Sequence, residues 1–312
     1  MATSTEIGVV VVTHNSRHHL QRCLPPFLQS PLRPKVLVVN SSSTDGTVEC
    51  AQAMGADTWV LPRRRFNHGA TREEARHRIG TPIVVMVTPD AYAPTPDELG
   101  RLVEPVRQGI AACAYGRQLP HDGADPVEAF GRAFGYGETS ELRSVADRAR
   151  LGSGVHFCSN AWAAWSNAAL DRIGGFQPTL VSEETIAVAK LLRAGERIAY
   201  VADAVVHHSH RYGPLDEFTR HFDIGWTRAR HADLLLADGG DGPRGRAFAG
   251  QLLSELLRKA PGRIPGTVLA LAAKWAGYRA GMAGARLPAR LLSPFSGQDF
   301  FWQSDFARRL PS

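Results

Sequence analysis

The first two-thirds of the chain alternates short apolar runs with polar, turn-rich segments, and the last third carries longer stripes at helical spacing. Residues 7–12 (IGVVVV) and 83–87 (IVVMV) are continuous apolar runs of the kind that form strands buried on both faces, as at the centre of a parallel sheet. Residues 36–39 and 58–61 read as further strands. Leu20, Cys23, Leu24, Phe27 and Leu28 recur at helical spacing, with Pro25-Pro26 expected to kink or shorten that helix. A second helix opens in FNHGATR at residues 66–72 and runs to about Ile79. Strand and helix alternate up to Pro82, which predicts βαβ units in a doubly wound α/β sheet, Rossmann-like and mostly parallel.

Beyond residue 90 the pattern predicts a helix over 97–108, a strand over 110–115, loop and short helix over 120–154, and a strand over 155–159. A short helix over 168–173, a helix starting at Ser182 and two short strands at 197–201 and 204–208 follow. From Pro214 the chain is helical and increasingly basic, and a boundary is expected between a catalytic unit, 1–238, and a helical extension, 239–312. In that extension Leu252, Leu253, Leu256 and Leu257 form a stripe beside Arg258 and Lys259, while Lys274 and Arg279 interrupt the apolar stretch 268–282. Such a segment suits either a membrane interface or packing on the catalytic unit or a second subunit.

Composition narrows the function classes. A chain of 312 residues with 44% apolar content can bury a sizeable core, and its net charge of +6 suits anionic partners. The arginines are dispersed and no nucleic-acid-binding motif accompanies them, so nucleic acid is not an expected partner. Cys23, Cys50, Cys113 and Cys158 form no C-x-x-C pair and read as buried thiols in a reducing compartment. MATSTEIG lacks the basic and apolar regions of a secretory signal, and the expectation is a cytoplasmic protein, either a cytosolic enzyme or a peripheral one at the inner face of the cell membrane. The first strand lacks the G-x-G-x-x-G turn of a dinucleotide-dependent dehydrogenase.

Several residues carry candidate chemistry. Pro89 stops the 83–87 strand and leaves Asp90 at its carboxyl end, where open α/β sheets bind ligands. His208 and His210, two apart on an extended segment, face one side as metal ligands require; zinc is a minor alternative, since no Cys or H-E-x-x-H accompanies them. Glu183 and Glu184 occupy the first turn of a helix, where the dipole favours carboxylates. Asp45 reads as a turn and capping residue, and Trp162 and Trp165 as core residues more than sugar-stacking ones.

The ordered set THNS, VVNSSSTDGT, FNHGATR, VTPDA, GGF, SEET and HHSH resembles the motifs of inverting nucleotide-sugar glycosyltransferases of family 2, which have the GT-A fold. FNHGATR, YGRQLP, SEET and HSHRY are most similar to the bacterial rhamnosyltransferase branch. The resemblance covers roughly residues 7–230. It implies a nucleotide-sugar donor, dTDP-L-rhamnose, and a glycan or lipid-linked acceptor. It makes Glu184 the catalytic base, with Glu183 as the alternative. Thr13, Asn15, Asn40, Asn67, His68, Arg72, Asp90 and Arg117 become donor-binding residues, and Asp90, His208 and His210 ligands of a divalent cation, Mg²⁺ or Mn²⁺. Thr88 stands where the first acid of a D-x-D motif is common, Asn40 where an Asp is usual, and Glu184 where the base is usually Asp. These departures also fit a non-catalytic relative that binds sugar nucleotides.

Overall fold

Eight strands form one sheet in the order β3-β2-β1-β4-β7-β5-β8-β6. They are β1 (Ile7–Thr13), β2 (Lys35–Asn40), β3 (Asp57–Val60), β4 (Ile83–Val87), β5 (Cys113–Leu119), β6 (Glu141–Arg143), β7 (Trp162–Ser166) and β8 (Ile198–His207). The computed structural model describes residues 6–237 and 239–308. Most of the amino-terminal segment read above for a targeting signal, and Asp238 at the expected boundary, lie outside the described residues. Strands β1 to β4 are mutually parallel, β7 enters antiparallel between β4 and β5, β8 is parallel to β5, and β6 is an antiparallel edge strand.

The alternation of side chains explains why the central runs are apolar at every position. Val10, Val12, Val39, Met86 and Trp165 pack on one face, and Val9, Val11, Val38, Val85 and Trp162 on the other. Both tryptophans are fully buried, so neither presents a ring to a ligand. Their indole N–H groups donate to Asn160 Oδ1 (Trp165, 2.9 Å) and the Ala204 carbonyl (Trp162, 3.2 Å).

Four expectations shift. The strand expected over 155–159 is not formed there: a 3₁₀ turn, Gly152–His156, runs into it, and the strand follows at β7, whose WAAWS sequence lacks β-branched residues. It is a strand because β4 and β5 pair with it on both edges, a tertiary cause that local propensity does not register. The strand expected at 110–115 starts later and runs on to Leu119, because β8 continues alongside it as one ten-residue strand instead of two. The register shifts between Gly116 and Arg117. A side chain at position 116 would sit about 2.2 Å from both the Trp162 ring and the Ala204 carbonyl, so glycine lets the strands close there. Finally, the irregular 120–154 region holds a ten-residue helix, Pro126–Gly135, capped by Asp125, together with β6.

The extension is packed into the rest of the molecule. Helix Ile264–Gly284 crosses helix Pro214–Arg230 at Gly277 and Gly281, where a Cβ would lie 2.2 Å from the Phe218 carbonyl and 2.0 Å from the Phe222 carbonyl. Helix Gly242–Lys259 lays Phe248 against Phe130 and Phe134. Leu180, Phe222, Trp226, Leu292 and Phe301 share a further apolar cluster.

Candidate functional site

The turn after β4 is tied to the end of β8 by a short bridge, Tyr92 N–H to His207 O at 3.0 Å and the reverse at 2.9 Å. That bridge brings Asp90 to the two histidines that follow β8. His208 Nε2 lies 3.4 Å from Asp90 Oδ1, His210 Nε2 lies 3.3 Å from Asp90 Oδ2, and the two Nε2 atoms are 3.1 Å apart. Burial works against the Asp90 charge, but the hydrogen bond and charge of His208, with His210 beside it, outweigh burial and hold the carboxyl well below its ordinary range. Burial and the neighbouring His208 push His210 down to about 4, so its imidazole is neutral near pH 7.

Gln118 completes this group. Its Oε1 accepts from Arg132 Nη1 (2.5 Å) and lies 2.9 Å from His208 Nδ1, while its Nε2 donates to Ser159 Oγ (3.0 Å). Arginine can only donate, so the amide orientation is fixed and His208 Nδ1 must carry the proton. With the proton on Nδ1, Nε2 is the ring nitrogen that a metal ion on the Asp90 side would take as its ligand. The set fits a divalent cation: ligand atoms about 2.1 Å from one ion are spaced roughly 3.0–3.4 Å apart between octahedral and tetrahedral angles. Asp90, His208 and His210 converge within 4.8 Å.

A second group forms where helix Glu183–Arg193 begins. Ser182 holds left-handed backbone (φ 65°) before it, a conformation unusual for a residue with a side chain. Glu183 is buried, accepting from Arg72 Nη1 (2.5 Å) and Asn160 Nδ2 (3.0 Å). Burial opposes its charge, yet the Arg72 guanidinium prevails and lowers its pKa. Glu184, half-buried, feels the same guanidinium only as a minor influence. Burial, and then the Glu183 charge, push it up to about 8. One carboxylate is thereby fixed as an anion and its neighbour made a weak acid that titrates near neutrality.

Beside these groups a cavity of about 360 Å³ opens at the carboxyl ends of β1 and β4, lined among others by Thr13, Arg63, Phe66, His68, Arg72 and Thr88. Arg72 is 5% exposed and its Nε has no hydrogen-bond partner among the described residues. Burial, with Arg72 next to it, pushes His68 down to about 4. Of the remaining expected donor-binding residues Thr13 lines the cavity, whereas Asn15, Asn40 and Asn67 are not among its lining residues and brace the surrounding loops. Thr13 donates to the Val39 carbonyl, and Asn40 is fully buried, its amide donating to Thr13 Oγ1 (3.3 Å) and Ser43 Oγ (2.6 Å) and accepting from Ser43 N–H (2.9 Å). Asn15 (φ 47°) accepts from Thr44 N–H, locking the first loop to the second. Asn67 caps helix His68–Ile79 and donates to the Thr179 carbonyl at 2.8 Å.

Arg117 is placed elsewhere. It donates to exposed Glu138 (3.0 Å) and is not among the cavity residues, since strand alternation gives the opposite face to Gln118. Sequence reasoning chose Arg117 and missed Gln118, Asn160 and Arg63. Alternation separates 117 from 118, but which of them meets the site depends on β8 lying beside β5. Residues 297–300 also line the cavity, and no motif announces them.

Comparison with known proteins agrees with this geometry. The family model described as "Glycosyltransferase like family 2" matches residues 5–222. The O-antigen chain rhamnosyltransferase RfbN of Salmonella typhimurium is 32% identical over 303 residues, covering 96% of each chain. The O-antigen chain rhamnosyltransferase WbaN of Salmonella anatum is 34% identical over 272 residues, covering 86% of each. Among solved structures, the mannosyltransferase PcManGT of Pyrobaculum calidifontis, in complex with GDP-Man and Mn²⁺, superposes with a TM-score of 0.56 at 18% identity, over 96% of this chain and 86% of that one. S. aureus TarS 1–349 in complex with UDP-GlcNAc gives 0.54 at 14% identity, over 96% and 89%. The motif order, the mostly parallel sheet and the extent of these matches lead to one conclusion: the chain is a glycosyltransferase of the family 2 type, with the GT-A fold.

Proposed function

We propose that the protein is an inverting hexosyltransferase that moves L-rhamnose from dTDP-L-rhamnose to a hydroxyl of a glycan or lipid-linked acceptor. The sugar follows from relatives named rhamnosyltransferases, and the acceptor class from their O-antigen role. The observation that carries the enzymatic reading is the unequal glutamate pair, with Glu183 held by Arg72 and Glu184 raised to about 8. A general base works best when its pKa lies near the working pH. Glu184 takes the acceptor's hydroxyl proton as the oxygen bonds to the anomeric carbon. The bond from that carbon to the diphosphate breaks on the opposite face, which inverts the configuration. Arg72, whose Nε lacks a partner, is placed to meet the diphosphate charge.

Asp90, His208 and His210 would hold a divalent cation, and two imidazoles among the ligands favour Mn²⁺ over Mg²⁺. Such a cation supplies charge neutralisation to the departing diphosphate. We place the enzyme at the cytoplasmic face of the membrane, resting on it without crossing: no described helix is long and apolar enough to span a bilayer. The outer face of helix Ile264–Gly284 is the contact we favour.

A panel of sugar nucleotides, assayed for nucleoside diphosphate release with lipid-linked acceptors, tests the reading. Release is expected with dTDP-L-rhamnose, with product of inverted anomeric configuration by NMR. Binding without release from any donor would instead identify a non-catalytic sugar-nucleotide-binding relative.

A further inference from the structure

The donor cavity is finished by residues from far outside the catalytic motifs. Gly297, Gln298, Asp299 and Phe300 line it, although the family match ends at residue 222. The segment is held in place on both sides. Gly297 N–H donates to the buried Asp223 Oδ2 at 3.0 Å, and Phe301 is buried against Trp226. Gln298 Oε1 lies 3.3 Å from His68 Nε2. The Phe300 ring meets Phe66 edge-on, with centroids 5.2 Å apart, and the Arg63 guanidinium sits 4.2 Å over it. Arg63 also donates to Ser41 Oγ at 3.2 Å, which links the segment to the loop after β2.

The cavity therefore has two chemically distinct parts. One is aromatic, the Phe300 ring with Phe66 edge-on to it and the Arg63 guanidinium over it. The other is cationic, with buried Arg72 keeping an Nε donor unpartnered. A flat apolar group joined to a polyanion matches both parts at once. We infer that the 297–300 segment is the nucleobase wall of the donor site, with Phe300 stacking on the base and Gln298 offering its amide to the base edge. This rests on the nucleotide-sugar reading above and extends it, because it makes the C-terminal extension a determinant of donor specificity. Exchange of an aromatic platform for alanine removes most of a base-stacking contact.

Calorimetry on the full chain separates the possibilities. Wild type, Phe300→Ala and Phe300→Tyr are titrated with dTDP and, separately, with inorganic pyrophosphate. Phe300→Ala should bind dTDP about tenfold or more weakly, Phe300→Tyr should recover most of the loss, and pyrophosphate affinity should not change. Hydrogen exchange on wild type, which needs no variant to fold, should slow at residues 297–301 when dTDP is added. Equal dTDP affinity in Phe300→Ala together with unslowed exchange would overturn the base wall while leaving the donor site standing. Wild-type protein that binds no nucleoside diphosphate would overturn the donor reading itself.

Discussion

Glu183 and Glu184 are chemically identical and adjacent, yet their surroundings separate them. Helical geometry turns consecutive side chains about 100° apart, so only one meets the Arg72 guanidinium. Its neighbour is left with burial and a like charge, both of which disfavour ionisation. The same arrangement divides acid and base roles between paired carboxylates elsewhere in enzymology. The sign of the pH dependence follows. The Glu184 carboxyl keeps its proton up to about pH 8, so the basic form grows roughly tenfold per pH unit below that value and saturates above it. We predict that kcat/KM rises from pH 6 toward 8 and then levels. Glu184→Gln should lose this rising limb and about a hundredfold or more in turnover, with donor affinity kept. A folded Glu184→Gln protein with near-normal transfer would show that the segment is structural or that another group is the base. Asp90 behaves in the opposite sense, since its imidazole partners keep it ionised far below neutrality.

At the scale of elements, the parts nearest the motifs were the most legible. The runs at 7–12 and 83–87 announced β1 and β4 because both faces are buried and every position must be apolar. That Asp90 and His208 share one cleft was legible through motif order, although over a hundred residues of chain separate them. What escaped was whatever depends on strand neighbours: β7 hides in WAAWS, β8 looked like two strands, and Gln118 was passed over for Arg117. Gln118 has a testable role as a positioning residue. It fixes the His208 tautomer from Nδ1, and outer hydrogen bonds of this kind typically affect metal affinity about 10–100-fold. We predict that Gln118→Leu weakens Mn²⁺ binding by that order, measured by titration of the donor-free protein, while Gln118→Glu, which keeps an acceptor, weakens it less. Unchanged Mn²⁺ affinity in the leucine variant would remove Gln118 from the metal site.

The whole molecule carries a net charge of +6, and in the C-terminal extension basic residues border an exposed apolar stripe. In the sequence, Lys274 and Arg279 interrupt the apolar stretch 268–282 and speak against a membrane span. In the fold, Lys274 turns inward, 3.5 Å from Glu217 Oε1 and over the Phe248 ring, and the outer face is left apolar. Val268, Leu269 and Trp275 are exposed there, Trp275 by 69%, and the helix contains no acidic residue. Leu257 is exposed on the preceding helix beside Arg258 and Lys259, and Arg263 and Arg279 flank the stripe. Apolar side chains with an interfacial tryptophan and a basic border match the headgroup region of an anionic bilayer, where each cation contributes about 1 kcal/mol. We predict that the protein co-sediments with phosphatidylglycerol vesicles at low salt and less with phosphatidylcholine ones. Raising ionic strength should release it in part, because screening removes the charge contribution and leaves the apolar one. Leu269→Ser/Trp275→Ser should abolish the residual, salt-resistant binding and leave dTDP affinity intact, since neither residue lines the donor cavity. If the stripe instead covers a second copy, wild type will be dimeric in solution, the double variant monomeric, and vesicles will recover neither.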